Sequence, residues 1–116
     1  MGFYVVHGSY LDAYRSDAAD TSSNCFSASV GSSMYASHAT ATRCGGTGFN
    51  ARDGSTIRAY SAECSGATHC FRAHRGSMLG AHDVSTCDAS DDAVHTSFLS
   101  FIDADNVDPQ TCPANV

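Results

Sequence analysis

Histidine, arginine and cysteine concentrate in one short stretch of this 116-residue chain. His69, Cys70, Phe71, Arg72, His74 and Arg75 fall within it. Arginine and aromatic side chains are favoured anchors of protein interfaces, so Phe71, Arg72, His74 and Arg75 form the leading candidate binding site. A metal is the weaker use of these histidines. His69 and His74 have roughly the spacing of a zinc-binding pair, but no second clean pair accompanies them and His82 adds only a single imidazole. The segment Asp103-Ala104-Asp105-Asn106-Val107-Asp108 sets acidic oxygens at alternate positions, as a calcium loop does. It lacks the glycine at the sixth position and the glutamate at the twelfth, and an acidic turn is expected. Gly45-Gly46-Thr47-Gly48 has the composition of a phosphate cradle without the Gly-Lys-Ser/Thr ending, and is read as a flexible turn. Neither a metal nor a cofactor is expected.

Whatever holds these groups in place is not a large apolar core. Leu, Ile, Val and Phe number only 18 of 116 residues, whereas Ser and Ala number 17 each, and Lys and Trp are absent. That content is below the roughly one-fifth at which ordinary cores thin out. Six cysteines, Cys25, Cys44, Cys64, Cys70, Cys87 and Cys112, supply the alternative as three disulfides. Six cysteines allow about fifteen pairings, and the sequence does not choose among them. A bridge from Cys25 to Cys87 or Cys112 would restrict the unfolded chain most. Such stapling implies an oxidising compartment, hence a secreted, extracellular protein. No apolar run is long enough to span a membrane. The net charge of −6 argues against nonspecific nucleic-acid binding, although five of the six arginines lie between Arg43 and Arg75 and leave room for a local basic patch.

The elements that would position the site are read as strands and helices of a single domain, residues 1–116. Phe3 to Tyr10 has the aromatic and β-branched content of a strand. Leu11 to Ala19 suggests a short helix. The segments 25–30 and 33–43, separated by Gly31, suggest a hairpin, and 55–63 a further strand. Ala67, Cys70, Phe71 and His74 fall on one helical stripe that ends near Gly76. Ser90 can cap a last helix with Asp91 and Asp92 in its first turn and Val94, Phe98 and Ile102 on its face. No internal repeat is expected. The fold class is therefore α+β: a small disulfide-stapled antiparallel sheet packed against one or two helices, monomeric.

Two resemblances bear on function. Small size, six cysteines, few aliphatics and absent lysine are similar to the small secreted cysteine-rich toxins and plant-pathogen effectors of fungi. Locally, Cys64-Ser65-Gly66-Ala67-Thr68-His69-Cys70-Phe71-Arg72 resembles the cysteine-flanked helix of virally encoded killer toxins. This implies an α+β protein that binds a host or competitor target, a protein or a cell surface, without catalysis. The alternative starts from Glu63, the sole glutamate, with Tyr35 and His38 before it and Arg72 or Arg75 and His95 after it. That order resembles the small fungal guanyl ribonucleases. The resemblance implies Glu63 as base, Arg72 or Arg75 on the phosphate and His95 as acid, beside His38.

Overall fold

In the computed structural model, which describes residues 2–84, 87–91, 93–103 and 114–115, the chain winds as a parallel β-solenoid. The first coil carries β1 (Phe3–Val5), β2 (Tyr10–Asp12) and β3 (Asp17–Thr21). The second repeats them as β4 (Phe26–Ala28), β5 (Ser33–Tyr35) and β6 (Thr40–Cys44). The third has β7 (Thr47–Arg52), β8 (Thr56–Arg58) and β9 (Glu63–Ala67). The fourth has β10 (His69–His74), β11 (Met78–Gly80) and β12 (Cys87–Ala89). A fifth contributes β13 (Val94–Ser97) and β14 (Phe101–Asp103), and β15 (Ala114–Asn115) pairs with β13.

Each strand pairs in parallel with its counterpart one coil away, giving a first sheet β1-β4-β7-β10-β13-β15, a second β14-β11-β8-β5-β2 and a third β12-β9-β6-β3. Parallel neighbours need a long crossover, and here the other two sides of the coil provide it.

The register exposes a period of 22 or 23 residues. Phe3, Phe26, Phe49, Phe71 and Val94 share one row. Stacked phenylalanine rings 4.7 to 5.2 Å apart fill the interior behind the first sheet. Leu11, Met34, Ile57, Leu79 and Ile102 form the matching row behind the second, and Ala41, Cys64 and Cys87 lie behind the third. A coil this narrow needs one large apolar residue for each of two sides and small residues elsewhere. That is why a chain so poor in aliphatics closes a core.

Corners repeat as regularly. Between the first and second sheets His7-Gly8, Val30-Gly31, Asp53-Gly54, Arg75-Gly76 and Phe98-Leu99 all have positive φ; the glycines adopt it without the Cβ penalty, and Leu99 takes it with a side chain. Just beyond each of the three middle corners lies a buried serine. The Ser32, Ser55 and Ser77 N–H groups donate to the Oγ of Ser55, Ser77 and Ser100 on the next coil, at 3.1, 3.1 and 3.2 Å.

The α+β expectation is thus overturned: no helix occurs among the described residues, and no pairing among them is antiparallel. Leu11 to Ala19 is β2, a corner and β3. The supposed hairpin about Gly31 is a corner between two sheets, and its flanking strands never pair with each other. The stripe Ala67, Cys70, Phe71, His74 lies on β9 and β10, where Phe71 and Ala73 point inward while Arg72 and His74 point outward with period two. Val94, Phe98 and Ile102 belong to a strand, a corner and a strand. The expectation that the chain holds no repeat fails with it.

Two disulfides are described, Cys25–Cys44 and Cys64–Cys70. Cys25 is therefore bound within its own coil and not to the far end of the chain. Cys87 is also disulfide-bonded, and Cys112 lies outside the described residues. The glycine run has a packing role: a Cβ on Gly48 would stand 2.8 Å from the Cys64 sulfur and from the Cys70 carbonyl oxygen. Gly48 is inside a strand, so the expected flexible turn is confined to Gly45 and Gly46. No described helix is long and apolar enough to cross a membrane.

Candidate binding site on the first sheet

Side chains that point outward from successive coils of a parallel stack line up in columns about 4.8 Å apart. On the first sheet one column is Tyr4, Ser27, Asn50, Arg72 and His95. The next is Arg52, His74 and Ser97. The small members Ser27, Ser29, Thr47 and Asn50 are buried although they face outward, because larger neighbours rise around them. Asn50 floors a depression of about 180 Å³ lined also by Asn24, Arg52, Arg72, His74 and Arg75.

The walls are positively charged. Arg52 and Arg75 share one carboxylate, Asp53, which accepts from Arg52 Nε at 3.0 Å and from Arg75 Nη1 at 3.4 Å. The Arg52 bond, followed by that of Arg75, holds the Asp53 carboxyl below the usual carboxylate range. Arg72 has no such partner, and its buried Nε donates to no acceptor among the described residues. His74 bonds through Nδ1 to Ser97 Oγ and packs its ring edge-on to Phe98 at 5.0 Å. Loss of solvation first, then the charges of Arg72, Arg75 and Arg52, push the His74 pKa below its ordinary value, against a weaker pull from Asp53. The depression can therefore receive an anionic oxygen group, with guanidinium donors on several sides.

Of the residues singled out in the sequence, Arg72, His74 and Arg75 come together here. Phe71 does not: it is fully buried in the phenylalanine stack and cannot be an exposed anchor. The ribonuclease set is divided. Arg72 and His95 are register neighbours on the first sheet, whereas His38 lies at the corner between the second and third sheets and Glu63 opens β9 on the third. Tyr35 is on the second sheet, where its ring stacks on Tyr14 at 5.6 Å.

The histidines considered for a metal also separate. His69 and His74 occupy the two ends of β10, and His82 lies beyond the second sheet with Nε2 2.8 Å from Asp103. No group of three metal-ligating side chains occurs among the described residues. The acidic segment beyond Asp103 lies outside those residues.

Asn24 and Asn50 were not singled out from the sequence, and Arg52 entered only as one of the arginines of a possible basic patch. The period of 22 or 23 residues would have placed Asn50 beside Arg72 and Arg52 beside His74. Comparison with protein-family models, curated proteins and solved structures finds no match to this chain.

Proposed function

We propose that this protein is a secreted, noncatalytic binding protein of the toxin or effector kind, which engages an acidic epitope on a host or competitor surface protein through the first-sheet depression. One observation carries the reading: three arginines and His74 converge on one hollow of a chain whose net charge is −6. Elsewhere that acidic surface turns polyanions away, which favours a compact acidic epitope over a long nucleic acid. The disulfides suit an oxidising exterior, and Arg72 brings an unused buried donor to the hollow.

The test is the double variant Arg72→Gln/Arg75→Gln, assayed on an immobilised glutamate-rich peptide and on target cells. Hydrogen bonds to charged groups contribute about 1.5 to 3 kcal/mol each, so affinity should fall at least about tenfold while the unfolding midpoint stays close to that of the parent. Binding should also weaken steeply with salt. Equal loss of binding and stability, or binding indifferent to salt, would sink the proposal.

A further inference from the structure

The second sheet presents a different outer face. Its first outward column is Tyr10, Ser33, Thr56, Met78 and Phe101, and its second is Asp12, Tyr35, Arg58, Gly80 and Asp103. Tyr10, Met78 and Phe101 are exposed to 65, 53 and 56%. Between these large side chains the small ones leave two hollows of about 380 and 180 Å³. Both are lined by Thr56 and Arg58, so they adjoin as one trough running along the solenoid axis. Four coil steps separate Tyr10 from Phe101, a length of about 19 Å.

Tyr60 shapes the lower half. A Cβ on Gly80 would stand 2.6 Å from its Cε1, so the Tyr60 ring lies across the sheet only because position 80 carries no side chain. The ring packs against that of His82 at 4.6 Å, whose Nε2 lies 2.8 Å from Asp103. The trough thus alternates flat rings with hydroxyls and charged groups. Arg58 has no side-chain partner among the described residues, and Asp12 and Asp103 flank it along the column.

We propose that this trough is a binding site for a neutral oligosaccharide. Aromatic rings offer faces for the C–H surfaces of sugar rings, while Ser33, Thr56, Arg58 and Asp103 offer donors and acceptors to the hydroxyls. The charge pattern favours a neutral ligand: Arg58 stands two coil steps from each carboxylate, Asp103 lies beside His82 Nε2 and Asp12 accepts from the Tyr14 N–H, so charge of neither sign is concentrated in the trough. Ser33, Thr56 and Arg58 interrupt the face between Tyr10 and Met78, which makes it a poor match for a continuous apolar protein surface. The trough lies on a different sheet from the arginine depression, and the two bind independently.

The test is calorimetric titration of the intact, oxidised protein with cellohexaose and with laminarihexaose. Saturable binding of at least one is expected, reduced tenfold or more by Tyr10→Ala and by Arg58→Ala. Both positions are exposed, so unfolding midpoints should be kept. The Arg72→Gln/Arg75→Gln variant should bind the hexasaccharide like the parent, which separates this site from the first-sheet reading. Absence of saturable binding by both sugars overturns the proposal, as does binding that survives the two trough variants. A concentration-dependent dimer in sedimentation that Tyr10→Ala abolishes would assign the face to a second copy, and would also overturn it.

Discussion

Replacing Cys25 and Cys44 together by alanine should destabilise the protein more than replacing Cys64 and Cys70. Both described bridges are buried, so loss of sulfur packing is similar in the two cases and the difference comes from the unfolded chain. The sequence separations are 19 and 6 residues. In the chain-entropy account these loops correspond to about 3 and about 2 kcal/mol at room temperature. Urea unfolding followed by far-ultraviolet circular dichroism would measure both, with the parent and the fourfold variant completing the set. Each reduced loop should also raise the slope of free energy on urea, more so for Cys25/Cys44, because the released chain expands further. A cost for Cys64/Cys70 equal to or above that for Cys25/Cys44 would refute the argument, because the coil-closing bridge would then not constrain the larger loop.

Three further outcomes follow from the coil geometry. Gly54→Ala should cost about 1 kcal/mol by denaturant unfolding, since the φ of 77° penalises any Cβ while nothing stands near enough to clash; an unchanged midpoint would contradict the corner conformation. Phe49→Ala, in the middle of the stack, should cost about 3 to 5 kcal/mol, and Phe3→Ala less because Phe3 is only partly buried; equal losses would contradict the stack. Because the folded His74 pKa lies below its ordinary value, the unfolded chain takes up the proton first, and stability should fall as pH drops through about 6.5. His74→Gln should remove part of that fall between about pH 7.5 and 5.5, measured by urea midpoints, and an identical pH dependence in both proteins would refute it.

Composition announced the thin, disulfide-stapled interior, and the proximity of Arg72, His74 and Arg75 was legible from their closeness in the chain. The elements were not. Most strands are only three residues long, so the alternation that betrays a strand breaks at a corner before it becomes visible. Val94, Phe98 and Ile102 then mimic a helical stripe although Phe98 sits on an exposed corner. The repeat was hidden because most of its positions need only be small. Ala, Ser, Gly and Cys exchange freely there, and the row shortens by one residue between Phe49 and Phe71. What did recur was sparse: the phenylalanines, Gly8, Gly31, Gly54 and Gly76, and Ser9, Ser32, Ser55, Ser77 and Ser100. Phe71 illustrates the cost of missing that register, since alone it resembles an interface anchor and in its row it is core.

Each coil rests only on the coils before and after it, so the molecule behaves thermodynamically as a row of coupled units. A strand at the edge of a sheet has one neighbour instead of two and opens at lower free energy. The two described bridges lie in the second coil and at the join of the third and fourth, which pins the middle of the row. The fifth coil carries Leu99 where the four before it carry glycine at the corner. Among the described residues β14 is an edge of the second sheet and follows that corner, so its backbone amides should exchange with solvent before those of β7, which is paired on both sides. The arginine hollow, built mainly on the third and fourth coils, would then outlast that edge and keep its shape in partly opened molecules.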